Sequence, residues 1–174
     1  LSHDRDGDGL PENTGVGHGW VESGPLGGGQ VTSYVAAIWI DALRRLAPLA
    51  RRLGDHHLSA RVMAACERAE RAFERRLRDA ATGRVHLQLA ADGTPANDLT
   101  ALSAVPILLG VDREASADDV VRALSAADFA APWGVRMISR GDARYRPRGY
   151  HFGAVWPLYT GWVSLAAFAR GRAD

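Results

Sequence analysis

Three stretches of this 174-residue chain concentrate side chains able to do chemistry. The first is Gly17-His18-Gly19-Trp20-Val21-Glu22-Ser23-Gly24-Pro25, where a carboxyl stands two residues from an indole in a glycine-rich segment. An indole offers a flat apolar platform for a sugar face. A carboxyl partly buried against it is pushed toward its protonated form, as a general acid requires. Glu22 could equally close a turn while Trp20 fills the core, and residue types alone leave both roles open. The second stretch is Thr94-Pro95-Ala96-Asn97-Asp98, whose last two residues could contact a ligand or cap the helix that follows. The third is the richest, running from Pro132-Trp133-Gly134-Val135-Arg136 to Tyr150-His151-Phe152-Gly153-Ala154-Val155-Trp156-Pro157. Flat apolar rings mixed with hydrogen-bond donors are what hold a neutral polyol. His151, between two aromatic residues, could bind or could be structural.

A fourth feature bears on metals. Asp4, Asp6 and Asp8 precede Gly9 at the spacing that opens an EF-hand-type calcium loop, but the twelfth position is Gly15 where that loop carries Glu. The same residues also suit an Asp/Gly-rich turn, so no cofactor is expected beyond a calcium ion held by these three. Cys66 is the only cysteine, which excludes an internal disulfide and a cysteine-based zinc cage. Its place on the apolar side of a helical pattern makes it a small buried hydrophobe. The sequence holds no G-x-S-x-G elbow, H-E-x-x-H pair, phosphate-binding loop or dinucleotide fingerprint after a strand. His56 and His57 open an exposed helix and read as solvated surface.

These stretches must be positioned by helices. Residues 1–30, with nine Gly and two Pro, are expected to be loop. A helix follows from Val31 to Leu53, apolar nearly all round through its first turns, with Pro48 expected to kink it late. The next, His56 to Asp79, carries one apolar stripe through Leu58, Val62, Cys66, Ala69, Phe73 and Leu77 and is amphipathic. A loop with a short strand at 85–89 leads to an apolar helix from Asp98 to Leu109. A short amphipathic helix covers Ser116 to Ala127, with Ser116 as its expected N-cap. A long loop, 128–153, precedes an apolar helix from Ala154 to Arg170. Buried and exposed helices therefore alternate, as in an all-α, α/α toroid with inner helices ringed by outer ones. In such a ring all three candidate stretches, each preceding an inner helix, fall at one end.

Composition narrows the partners. Hydrophobic residues make up 47% of the chain, enough for a packed core. The 21 basic residues, every one Arg, and 20 acidic residues leave a net charge of +1, which disfavours nucleic acid and anionic membrane as partners. No apolar run approaches the roughly 20 residues that span a bilayer.

In order, Asp8-Gly9-Leu10, Gly19-Trp20-Val21-Glu22, Ala36-Ala37-Ile38-Trp39-Ile40-Asp41-Ala42-Leu43, Thr94 to Ser103, Pro132 to Ser139 and Tyr150 to Pro157 resemble a known set. They are similar to segments of the six-hairpin glycosidases, and within them the amylo-α-1,6-glucosidase region of glycogen-debranching enzymes. That resemblance implies a partial (α/α)6 toroid and inverting hydrolysis of an α-glucosidic bond in an oligo- or polysaccharide such as glycogen. It puts the general acid at Glu22 and the sugar pocket at Trp20, Trp133, Arg136, Tyr150, His151 and Trp156, with Asn97 and Asp98 as further candidate substrate contacts. It also favours a cytoplasmic setting. The family's Asp is Glu22 in this chain, and the Asn of its Y-H-N-G motif is Phe152.

Inverting hydrolysis needs a second carboxylate roughly 6.5–9.5 Å from the acid, and in this superfamily it lies beyond the last helix read here, past Asp174. A full ring of twelve helices takes on the order of 300 residues. Residues 1–174 are thus expected to be part of one catalytic domain, incomplete at both ends, inactive alone and partnered by the rest of that domain. The alternative is a non-catalytic carbohydrate-binding or regulatory helical module.

Overall fold

The structure, a computed structural model, describes residues 3–13, 21, 26–27 and 29–172. The loop before the first helix ends in β1 (Val31–Thr32), which pairs antiparallel with β2 (Gln88–Leu89); β2 pairs in turn with β3 (Pro95–Ala96). This small sheet joins the segment just before the first helix to the second candidate stretch.

Helix α1 (Ser33–Arg52) buries Tyr34, Ala36, Ala37, Ile40, Leu43 and Ala47, the spacing of one helical face. It runs on through Pro48 and ends with Arg51 and Arg52 in its last turn, where cations suit the helix dipole. Gly54, at φ +82°, turns the chain back, and Asp55 accepts a hydrogen bond from Leu58 N (2.8 Å) to cap α2 (His56–Ala72). The two helices meet over small residues, and Ser59 Oγ donates to Ala47 O across the seam (2.9 Å). Cys66 is buried there, as expected, and burial pushes its thiol pKa up. The end of this helix is a π-helical turn, Phe73–Leu77, whose Phe73 and Leu77 are fully buried.

Two sequence expectations about caps fail. The helix expected from Asp98 starts later, because the Ala101 amide donates to Met137 O (3.0 Å) and Thr100 caps the 3-10 turn Ala101–Ser103 by accepting from Leu102 N (3.2 Å). Helix α3 then covers only Ala104–Leu108, and neither Asn97 nor Asp98 caps it. Helix α4 (Ser116–Ser125) has Ser116 inside its first turn, the hydroxyl donating instead to Gly83 O (2.8 Å). Asp118 and Asp119 supply the acid of that turn.

The long loop contains a two-strand hairpin, β4 (Ala130–Ala131) with β5 (Gly134–Val135). Helix α5 (Pro157–Ala169) follows, with Pro157 at its first position, where a missing N–H costs nothing. Two apolar clusters hold the whole: one between α1 and α2 with Leu10 and Val31, the other joining α3, α4, α5 and the long loop, with Leu109 against both. The helices expected to be inner expose a second apolar face, through Leu46 and Leu49 on α1 and Leu165 and Phe168 on α5. No described helix is long and apolar enough to cross a membrane.

Candidate active site

The hairpin carries Trp133 at its tip with 73% of its surface exposed, a position no core residue takes. Gly134 has φ +136° and lies so close to Thr160 and Val155 that a Cβ would collide with both, so only glycine lets the hairpin sit on α5. Val135 N donates to Thr160 Oγ1 (3.0 Å) and fixes that seat. Arg136 is buried, and its guanidinium donates to the backbone carbonyls of Phe129 (3.2 Å) and Ala130 (2.6 Å). Its direct partners are therefore the hairpin's own backbone. Arg136 also bridges to Val155, which brings the hairpin beside the segment that bears Trp156.

That segment gathers three of the expected residues. Tyr150 meets His151 and Trp156 edge to face, both with ring centroids 4.7 Å apart, a favoured aromatic geometry. Trp156 Nε1 donates to Tyr150 O (3.1 Å), so Trp156 and Tyr150 are locked by backbone as well as by rings. Tilted contacts continue from Trp156 inward to the buried Tyr159 (6.1 Å) and from there to the half-buried Trp162 (5.8 Å). Tyr150 is exposed while His151 and Tyr159 are buried. An accessible ring is thus backed by edge-on and tilted rings that reach the core at Tyr159.

Asn97 and Asp98 approach this loop from the other side. Asp98 pairs with Arg144 of the long loop, and Arg144 is held by Asp142 (2.6 Å). The hydrogen bond from Arg144 lowers the Asp142 carboxyl to a pKa of about 2, and the two carboxylates raise the guanidinium in turn. Sequence reasoning missed Arg144; the only signal was an Asp-x-Arg step, Asp142-Ala143-Arg144, in a loop already crowded with Arg. Both Asn97 and Asp98 line a 180 Å³ cavity. Trp20 and Glu22 lie outside the described residues, but Val21 between them is buried in the apolar cluster that also packs Phe152 and Trp156.

The carboxylates of Asp4, Asp6 and Asp8 offer ligand atoms within 4.8 Å of one another. A cation already sits against them: the Arg76 guanidinium, from the π-helical turn, pairs with Asp6 (2.8 Å) and with Asp8. The loop satisfies its own amides too, since Leu10 N donates to Asp8 (2.7 Å) and Arg5 N to Glu12 (2.7 Å). This is an Asp/Gly turn neutralised by arginine, with the three acids placed where an ion could compete.

Comparison with known proteins fits this arrangement. A family model described as the mannosylglycerate hydrolase MGH1-like glycoside hydrolase domain matches residues 27–174. No curated protein sequence matches. Among solved structures, a sialidase is similar over 92% of this chain and 15% of its own, with a TM-score of 0.71 and 16% identity. The GH63 mannosylglycerate hydrolase from Thermus thermophilus is similar in two crystal structures. Its complex with Tris has a TM-score of 0.65 at 19% identity over 82% of this chain and 34% of the other. Its complex with glucose has a TM-score of 0.58 at 20% identity over 81% and 38%. These likenesses establish a mostly helical, six-hairpin glycosidase fold, of which this chain spans little more than a third at most. The chain belongs to the family of mannosylglycerate hydrolase MGH1-like glycoside hydrolase domains.

Proposed function

We propose that this chain is the acid-bearing portion of a glycoside hydrolase catalytic domain that cleaves a small α-linked glycoside with inversion. The reading rests on one observation above all: the long loop holds out two exposed aromatic side chains, Trp133 and Tyr150, while its Phe152 and Trp156 pack on the same apolar cluster that buries Val21. A sugar face stacks on the rings, and Glu22, next to Val21, protonates the leaving oxygen. Asn97, Asp98, His151 and Trp156 shape the surroundings of the sugar, and Arg136 acts through the hairpin that it holds together. A second carboxylate, supplied by the rest of the domain at roughly 6.5–9.5 Å, activates the water.

Two substrates fit this reading. Mannosylglycerate is supported by the matching family, and α-1,6-linked glucan, the amylo-α-1,6-glucosidase substrate, by the motif resemblance; we favour the first because its family covers residues 27–174.

The test uses the full-length protein that contains this chain. Sugar released from mannosylglycerate, from isomaltose and from glycogen branch points is measured, with the product anomer read by NMR. Glu22→Gln is expected to lower kcat by about 10²–10⁴, the usual contribution of a general acid. Undiminished activity in that variant would remove Glu22 from the mechanism. Turnover by residues 1–174 alone would show that no second carboxylate is needed from elsewhere. Sugar binding without turnover by the full-length protein would make the domain a carbohydrate-binding module instead.

A further inference from the structure

A cavity of 180 Å³ opens between the turn at 79–85, the stretch Asn97–Leu99 and the α3–α4 unit. None of Trp133, Arg136, Tyr150, His151 or Trp156 lines it, so it is not the aromatic surface described above. Its volume equals that of about six waters, at roughly 30 Å³ each.

The wall has a definite chemistry. Its carboxylates are Asp79, Asp98 and Asp112, and among the described residues its only lining cation is Arg84. Asp112 is 4% exposed, with Oδ1 accepting from Arg78 Nη1 (3.1 Å) and from Glu114 N (3.4 Å). Ser33, 1% exposed, donates its hydroxyl to Leu87 O (3.0 Å) and so turns an accepting oxygen to its surroundings. Asn97 Oδ1 faces His86 Nδ1 and accepts from it in the tautomer that carries the hydrogen there. The Asn97 Nδ2 group has no partner among the described residues and remains able to donate. Val85, Leu99, Pro106 and Val120 complete the wall with apolar surface.

This set selects among ligands. An apolar guest would strip water from Asp112 and Ser33 without replacing its hydrogen bonds, at a cost that burial of polar groups always carries. A small anion would face three carboxylates, two of them shared with Arg78 and Arg144, and one lining guanidinium. A metal ion would meet carboxylates already engaged, two of them by Arg78 and Arg144. A neutral molecule rich in hydroxyls carries no charge to be repelled and needs no bare carboxylate, because a carboxylate paired with arginine keeps lone pairs that accept from a hydroxyl: it donates to the carboxylates and to Ser33, accepts from Asn97 and lays its carbon skeleton on the apolar wall. We propose that this cavity binds a small neutral polyol of three to six carbons, at a site that shares Asn97 and Asp98 with the sugar surroundings but none of the aromatic surface. The inference goes beyond the glycosidase reading and does not depend on Glu22.

Calorimetric titration of the full-length protein with glycerol, D-glucose and D-glycerate tests it. Glycerol and glucose are expected to bind, and glycerate about ten-fold more weakly than glycerol or worse, as one added charge against this wall implies. Asn97→Ala and Asn97→Asp are expected to weaken glycerol binding about five- to ten-fold, as the loss of one hydrogen bond implies. Trp133→Ala, which strips the aromatic surface, should leave glycerol affinity within about two-fold of the parent. Glycerate binding as tightly as glycerol overturns the proposal, and that comparison needs no variant. So does unchanged affinity in the folded Asn97 variants, loss of glycerol binding in Trp133→Ala, or no binding of either polyol. Failure here leaves the hydrolysis assay of Glu22→Gln untouched, so the two readings fall separately.

Discussion

Arg144 pairs with Asp98 across 46 residues of sequence and with Asp142 two residues before it, so one guanidinium fastens the long loop to the stretch that precedes α3. The side chains are one-fifth to one-third exposed, so Arg144→Ala is expected to cost only about 0.5–1 kcal/mol of stability. Its effect on ligand binding should be larger, because the loop that presents Tyr150 and Trp156 loses its tether. Titration with sugar followed by Trp fluorescence checks this. Arg144→Lys keeps the charge but loses the fork that spans two carboxylates, and should restore affinity only in part. Full affinity in the alanine variant would confine Arg144 to a surface ion pair.

The same pair sets a pH window. Asp142 titrates at about 2 in the fold against an ordinary 3.8, chiefly because Arg144 donates to it. A depressed carboxyl contributes stability that is present above the unfolded value and is lost as pH falls through the folded one. Asp118, lowered by Arg170, adds in the same direction. Asp112 runs the other way: burial raises it against the pull of Arg78, and its contribution is lost as pH rises through its folded value. Melting temperature should therefore drop between about pH 4 and pH 2, less steeply in Arg144→Ala than in the parent. Equal slopes would show that Asp142 is not the group being lost.

Arg76 ties the acidic loop to the π-helical turn through Asp6 and Asp8. Arg76→Ala leaves Asp4, Asp6 and Asp8, whose ligand atoms lie within 4.8 Å of one another, without the guanidinium that pairs with two of them. The variant should lose about 1–2 kcal/mol, more than an exposed pair would, because two carboxylates lose one partly buried cation. Calcium in the millimolar range is expected to recover part of that loss in the variant and to shift the parent by less than about 1 °C. A large calcium shift in the parent would mean that the ion displaces the guanidinium and that the loop is a metal site.

What could be read from the sequence followed what each residue type can do locally. The helical runs were legible because they are written in spacing, but the buried face of α1 was not: Ile40, Leu43 and Ala47 are buried while Ile38, Leu46 and Leu49, equally apolar, stay exposed. The aromatic cluster was legible as composition, since Tyr150, His151 and Trp156 share seven residues of chain. The caps were not. Thr100 rather than Asn97 or Asp98 stops the backbone, because an amide 36 residues from its partner, Ala101 N to Met137 O, decides where the helix can begin. Arg136 and Arg144 look alike in sequence, yet one is consumed by its own hairpin's carbonyls and the other by carboxylates on two segments. Only tertiary contacts separate them.

Two glycines in the last third of the chain should respond in opposite directions. The loop 146–154 closes on itself: Arg146 N donates to Phe152 O (2.7 Å), Gly149 N to Arg146 O (2.7 Å) and Ala154 N to Gly149 O (3.0 Å). A Cβ on Gly153 would fall on the Arg146 carbonyl and within 3.2 Å of Pro147 Cα, both backbone, which no side-chain rotation can relieve. Gly153→Ala is therefore expected to cost about 1–3 kcal/mol and to disturb the edge-on contact of Tyr150 with Trp156. Gly161 lies in α5 with open space, for 4 Å around, where a Cβ would stand. Gly161→Ala removes only the backbone freedom that glycine adds to the unfolded chain, so it should stabilise by roughly 0.5–1 kcal/mol. Melting curves of both variants, read beside Trp emission, decide the matter. If Gly153→Ala melts and emits like the parent, the loop is not the closed ring that holds Trp156, and the aromatic backing of the sugar surface goes with it.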